Sequence, residues 1–161
     1  MTEDKALQQA ALDATWNRFL VERAKPGYRP GACVYRGPDD CRCAVGNLMH
    51  EVDYRPEFEG AGIAPTLYFD QFLQSQLRAD DLDSSPVLRG LLFDNLGKPR
   101  GCPFLTKIQN AHDMAAEATH ECVEANSCQL DVKSFDADGF RQRLESELRI
   151  IASVYGLEVP A

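Results

Sequence analysis

The sequence feature that most restricts the fold is the segment KPGYRPG at positions 25–31. Two prolines and two glycines within seven residues cannot continue a helix. The residues before it place Leu12, Trp16, Phe19 and Leu20 at helical spacing. This pattern predicts a first helix from Thr2 to Ala24 that ends at the break.

Beyond the break the sequence favours short β-strands. The runs ACVYR and CRCAV contain β-forming residues, and GPDD between them has the composition of a turn, so we predict a β-hairpin. AVGNLMHEV predicts a short helix that begins directly after Cys43. CQLDVKS alternates apolar and polar residues, which suits a further strand and makes it a candidate partner for the hairpin.

The other segments are predicted to be helical. Ser85, Pro86 and Gly97 mark the start and the end of one helix as cap, first residue and left-handed stop. The predicted helices cover TLYFDQFLQSQLR, SPVLRGLLFDNLGKP, the range from Pro103 to Asn126, and a last helix with Phe140, Leu144, Leu148, Ile151 and Tyr155 on one face that ends at Gly156. The prediction is a predominantly helical α+β fold, a single-domain helical bundle over residues 1–161 with a small antiparallel sheet.

Composition excludes several classes of protein. The chain has 161 residues, of which 44% are hydrophobic, and no apolar run approaches the ~18 residues of a membrane span. Its first residues are acidic and amphipathic, unlike a signal peptide. We therefore expect a cytoplasmic protein with reduced cysteines and no membrane partner. No P-loop, dinucleotide fingerprint, EF-hand or HExxH motif occurs, so we expect no cofactor.

The net charge of −8 is unevenly distributed. Residues 53–94 carry eight acidic residues against three arginines, and residues 112–138 carry seven against Lys133 alone. Such a balance argues against direct nucleic-acid binding, which needs a basic face. Two interpretations stay open: a surface that attracts a basic protein partner, and an acidic surface that only aids solubility.

Cys43 is the candidate for enzyme chemistry. It is predicted to begin a helix and follows Arg42, and both a helix N-terminus and a nearby cation stabilise a thiolate. His112 is a candidate general base, with Asp113 as the group that orients it. Asp113 follows His112 on a helix, however, and is expected to point about 100° away from it. The alternative is that Cys43 is a small, buried structural residue.

A zinc site is a further alternative. Cys33, Cys41 and Cys43 would supply three thiolates, and Cys102, His50 or His120 a fourth ligand. Structural zinc commonly uses ligand pairs two to four residues apart, whereas one residue separates Cys41 from Cys43. We expect no metal on this ground.

Arg36 and Glu59 suggest a structural contact. An arginine can lock a loop through a bidentate bond to a carboxylate. We expect Arg36 to tie the hairpin to the EFEG segment in this way, with Tyr35 packed beneath it and His112 as a candidate further member of the network.

Two patches of this sequence resemble a group of small phage and prophage proteins. That group has Tyr-Arg in a first strand, then Cys-Ala-Val-Gly with an aliphatic pair, then Tyr and Glu-Gly, and later an aliphatic-Gln-x-x-His-Asp element in a helix. The matching residues are Tyr35, Arg36, Cys43, Ala44, Val45, Gly46, Leu48, Met49, Tyr54, Glu59, Gly60, Ile108, Gln109, His112 and Asp113. The chain has His50 and Glu51 where the group tends to have Pro-Asp.

The resemblance implies an origin in a mobile element. The group carries no established activity over to this chain, so the resemblance implies only an accessory role in the cytoplasm of a bacterial host. We expect a non-enzymatic, inhibitory protein that binds a basic partner, such as a nucleic-acid-binding or host-defence protein. The alternative is a cysteine-dependent hydrolase or transferase that uses Cys43 with His112. The sequence gives no oligomeric state.

Overall fold

The computed structural model describes residues 3–29, 32–59, 77–126 and 129–160. Helix α1 spans Glu3–Trp16 and continues as one turn of π-helix, Asn17–Val21. Arg23 follows with a φ of 59°, outside the helical region. The first helix is therefore confirmed, and it ends a few residues before the predicted Ala24.

Helices build the core. Helix α2 spans Ala44–Leu48, α3 spans Pro86–Leu92, α4 spans Pro103–Glu117 and α5 spans Ala137–Tyr155. Helices α4 and α5 run antiparallel, since the rings of Phe104 and Tyr155 meet at one end with centroids 5.0 Å apart. Within the described residues no helix is long and apolar enough to cross a membrane.

Helix α5 follows its local signals at both ends. The side chain of Asp136 accepts a hydrogen bond from Gly139 N at 2.9 Å and caps the first turn. Gly156 ends the helix in the left-handed region with a φ of 62°. Phe140, Leu144, Leu148 and Ile151 are buried, as their spacing predicts.

Two antiparallel strand pairs complete the fold. Strand β1, Tyr28–Arg29, pairs with β2, Ala32–Cys33. Strand β3, His120–Asn126, pairs with β4, Gln129–Phe135. The predicted class is thus confirmed: a predominantly helical α+β fold with a small antiparallel sheet.

The predicted partners in these pairs were wrong. The strand pair uses residues of the KPGYRPG segment in place of CRCAV, because Asp39 and Asp40 adopt positive φ angles and divert the chain. Among the described residues, the runs ACVYR and CRCAV are joined by isolated hydrogen bonds and not by a ladder; one example is the bond from Cys43 N to Val34 O at 3.0 Å. The strand over residues 129–135 pairs with β3 and not with the first hairpin; Cys128 lies outside the described residues.

The long helix predicted to reach Asn126 was also wrong beyond Glu117. Thr119 Oγ1 donates to Ala115 O at 2.7 Å and closes the last turn. From His120 onward the backbone bonds to β4, and Glu121 accepts from Lys133 and Ser134 across the pair, each at 2.9 Å. Cross-strand pairs of this kind stabilise a strand that helical spacing alone does not reveal.

Two further helices were predicted differently. TLYFDQFLQSQLR falls almost wholly outside the described residues. Helix α3 ends at Leu92, and Gly97, with a φ of 73°, belongs to a separate turn closed by Asp94. Ser85 precedes α3, but its Oγ donates to Asp53 Oδ2 at 2.6 Å and makes no cap bond.

Gly46 of α2 lies directly against the backbone of Tyr35. A Cβ at this position would lie 2.3 Å from Tyr35 O. We predict that Gly46→Ala lowers the free energy of unfolding by roughly 2–3 kcal/mol, because the backbone must move to admit the methyl group. Urea denaturation measures the change.

Gly37→Ala is the matched control. Its Cβ would lie 3.3 Å from the side chains of Cys41 and Val34 and 3.6 Å from the backbone O of Cys41, all without severe overlap. A control as destabilised as Gly46→Ala would contradict the prediction.

Candidate functional site

Cys43 is the N-cap residue of α2 and is completely buried. Its Sγ accepts a hydrogen bond from Gly46 N at 3.3 Å, and its own backbone N donates to Val34 O. The thiol therefore serves the first turn of a short helix, the position that Ser, Thr or Asp often occupies. A substrate has no path to this sulfur in the described arrangement.

Arg42 does not point its charge at this thiol. Its guanidinium bonds to Asp40 Oδ1 and Glu51 Oε1. The expectation that Arg42 would stabilise a Cys43 thiolate is thus not supported, since two carboxylates already neutralise the cation.

His112 lies completely buried in α4, between the rings of Phe19 and Phe140. Its Nδ1 is 2.9 Å from Asp113 Oδ1. The expected divergence of these two side chains was wrong, because both side chains turn toward each other from adjacent helix positions. His112 Nε2 is buried and has no hydrogen-bond partner among the residues that the structure describes.

Gln109 joins this pair to α2. Its Nε2 donates to Asp113 Oδ1 at 2.7 Å, and its Oε1 accepts from Val45 N at 2.9 Å. A carboxylate, an amide and a backbone N–H thus connect His112 to the first turn of α2. No hydrogen bond joins the described side chains of Cys43 and His112, and their catalytic pairing stays a prediction.

Arg36 holds the other end of α2. Its guanidinium donates to the carbonyls of Gly46 and Met49, and only 11% of its side chain is exposed. Glu59 accepts from the backbone N–H groups of Tyr35 and Arg36, at 3.2 and 2.7 Å, and from Tyr54 Oη. The predicted bidentate bond between the Arg36 guanidinium and the Glu59 carboxylate is therefore wrong, because Glu59 bonds to the backbone N–H of Arg36 instead. His112 is not part of this network.

The candidate zinc ligands are dispersed. Cys102 is buried at the start of α4, His50 is exposed, and Cys41 is partly buried. The side chain of Cys33 lies outside the described part of the chain. Among the residues that the structure describes, no three His, Cys, Asp or Glu side chains come together in a way that would hold a metal ion.

The acidic segment 112–138 forms one continuous region: the end of α4, the ribbon of β3 and β4, and the start of α5. Glu117, Glu121, Asp136 and Asp138 are exposed. Among the described residues, β3 and β4 form a sheet of two strands, and no further strand pairs with either of them. These four exposed acidic residues therefore lie on elements that follow one another along the chain.

The acidic segment 53–94 contains carboxylates that bond within the protein. Asp53 is buried and bonds to Ser85, Asp81 pairs with Arg55, and Asp94 accepts from two backbone N–H groups of its own turn. These carboxylates hold local structure together, whereas Asp80 and Asp83 of the same segment are exposed.

A cavity of about 310 Å³ opens at the base of the ribbon. His120, the first residue of β3, is stacked between Tyr28 and Phe135, with ring centroids 4.5 and 4.4 Å away. The lining includes Tyr28, Val34, Cys41, His120, Val132 and Phe135.

Three titratable groups of this cavity, Tyr28, Cys41 and His120, have shifted pKa values. Burial raises the pKa of Tyr28 and of the Cys41 thiol, and nearby carboxylates raise both further. Burial lowers the pKa of His120, although its Nδ1 donates to Ala116 O at 2.6 Å. All three groups therefore favour their neutral forms at pH 7, and the other nitrogen, Nε2, carries the lone pair of His120.

Sequence reasoning missed most of this cavity. It named His120 only as a candidate zinc ligand and did not single out Tyr28 or Phe135. The available signal was the pairing of His120 with Phe135, which flank the ribbon, but this pairing becomes visible only once β3 is known to be a strand.

Comparisons of the chain with models of protein families, with curated proteins and with solved structures give no match. Support for a function therefore comes from the geometry and the charge of the molecule itself.

Thiol labelling separates a structural from a catalytic role for Cys43. With a small alkylating reagent at neutral pH, we predict that Cys41 of the folded protein reacts slowly and Cys43 does not react, because the first is partly buried and the second fully so. Peptide mass spectrometry measures each site, with urea-unfolded protein as the control. Labelling of Cys43 faster than free cysteine would contradict its structural role and favour the hydrolase alternative.

His120 predicts a pH dependence of stability. Its folded pKa lies below the reference value of 6.5, so the unfolded chain binds the proton more readily and stability falls as the pH drops from about 7 to about 5. Denaturation at a series of pH values measures the slope. In His120→Phe, which keeps a ring but cannot titrate, the slope should decrease; an unchanged slope would contradict the assignment.

Proposed function

We propose that this protein is a non-enzymatic accessory protein of the phage or prophage type that binds a basic surface of a protein partner and thereby inhibits it. The binding surface is the acidic segment 112–138, centred on the ribbon. The observation that carries the proposal is the excess of seven acidic residues over one lysine in this segment, which comprises the end of α4, the two-stranded ribbon and the start of α5.

Exposed carboxylates support this surface. Glu117 is exposed, and Asp138 has 89% of its side chain exposed. Exposed charges of one sign attract an oppositely charged partner and raise the rate of encounter. A basic partner of the kind that binds nucleic acids or acts in host defence has the complementary charge.

The burial of Cys43 and the absence of a bond between it and His112 support a binding role over catalysis. A nucleophile and its base need to lie within hydrogen-bond reach of each other. In this protein Gly46 N donates a hydrogen bond to the Cys43 thiol, and Asp113 is hydrogen-bonded to Nδ1 of the His112 imidazole.

A decamer of lysine tests the proposal directly. We predict measurable binding at about 0.05 M salt that weakens about tenfold by about 0.5 M, because salt screens exposed charges. Isothermal titration calorimetry or fluorescence anisotropy measures the affinity. Binding that salt does not affect, or no binding at low salt, would contradict the proposal.

Matched variants locate the surface. Glu117→Gln, Glu121→Gln and Asp138→Asn combined should lower the affinity about tenfold, at about 0.5 kcal/mol for each exposed ion pair. The control combines Asp4→Asn, Asp13→Asn and Glu158→Gln, which removes the same charge outside the acidic segment. Equal losses in both variants would show a net-charge effect and contradict the assignment to the ribbon.

A further inference from the structure

We propose that the cavity at the base of the ribbon receives an aromatic side chain that the basic partner carries within its positively charged segment. This inference rests on the proposed function and adds to it the chemistry of the partner's anchoring residue. Its support comes from the cavity, the stacked rings and the surrounding charges.

The size and the lining fit a planar apolar group. A volume of about 310 Å³ lies at the lower end of the range for ligand pockets. The rings of Tyr28, His120 and Phe135 form one side, and offset or edge-to-face contacts with a further ring would extend their stack. Aromatic anchors in such pockets commonly dominate the affinity of protein interfaces.

The position of the cavity connects it to the acidic ribbon. His120 opens β3, Phe135 closes β4, and Val132 of β4 is 43% exposed beside the cavity. A segment bound along the acidic ribbon therefore passes the opening. One partner segment can make the charged contacts and fill the cavity at once.

The charges near the cavity select basic neighbours for this aromatic residue. Among the described residues that line the cavity, Lys25 carries the only permanent positive charge. The carboxylates of Asp39 and Asp40 act on Cys41 together with the opposing cations of Lys25 and Arg18, whereas those of Glu117 and Asp113 act on Tyr28. Cationic residues beside the anchor thus find negative charge on the α4 side of the cavity, next to Tyr28.

Synthetic nonapeptides test the inference on the full chain. One has eight lysines with a central tryptophan, the second has alanine at the centre, and the third has eight glutamates with the central tryptophan. We expect the lysine–tryptophan peptide to bind at least about tenfold more tightly than the lysine–alanine peptide. The glutamate peptide should bind more weakly than either.

Cys41 reports occupancy in the unaltered protein. Because this thiol lines the cavity, the lysine–tryptophan peptide should slow its alkylation by iodoacetamide several-fold, with the rate of free cysteine in the same solution as the reference. The lysine–alanine peptide should leave the Cys41 rate unchanged. Equal rates with both peptides would overturn the inference.

A variant that fills the cavity provides an independent test. Cys41→Phe should abolish the advantage of tryptophan over alanine while the lysine–alanine affinity stays the same. Val154→Phe, at an exposed position away from the cavity, is the control and should preserve the advantage. Circular dichroism checks that both variants fold, and if Cys41→Phe does not fold, the alkylation result on the unaltered protein decides.

The outcomes separate the inference from the proposed function. Salt-sensitive binding of both lysine peptides with equal affinity would overturn the inference alone. Failure of every lysine peptide to bind would overturn the proposed function and the inference together. Equal binding of the lysine and glutamate peptides with tryptophan would overturn the claim that the anchor belongs to a basic segment.

Discussion

The short helix α2 lies inside the protein, and the polar groups at both of its ends must be satisfied there. A buried backbone N–H or C=O without a partner costs about 1–3 kcal/mol, and a five-residue helix has more terminal groups than internal bonds. Cys43 and Gln109 accept from the N-terminal N–H groups, and Arg36 donates to the C-terminal carbonyls. The hairpin before α2 and helix α4 behind it are held in place by these contacts.

This requirement gives Cys43 of the cysteine-rich segment a structural role. Tyr35, Arg36, Cys43, Gly46 and Gln109 build and enclose α2. In the proposed function, recognition takes place at the surface, where the ribbon carries exposed charge and the cavity opens at its base.

Local signals in the sequence were sufficient where an element depends on its own residues. The apolar face of α5 and Gly156 at its end, and α2 directly after Cys43, were predicted correctly. The strand β3 was not, because Cys122 continues the helical spacing of α4 while its actual partner, Val132, is remote in sequence. The bond between His112 and Asp113 was also missed, since helix geometry fixes the direction of Cβ atoms but not of the side chains beyond them. The cavity was missed because it depends on the pairing of β3 with β4 and on the contact of Tyr28 with His120, which are remote from each other in sequence.

Native-state hydrogen exchange of the α2 amides tests the central claim most directly, namely that the interior contacts of this helix hold the fold together. The account predicts that Val45 N and Gly46 N, bonded to Gln109 and Cys43, exchange only through global unfolding, with the same denaturant dependence as the core of α5. Exchange of these amides through a local opening of much lower free energy, while α4 and α5 stay protected, would contradict it.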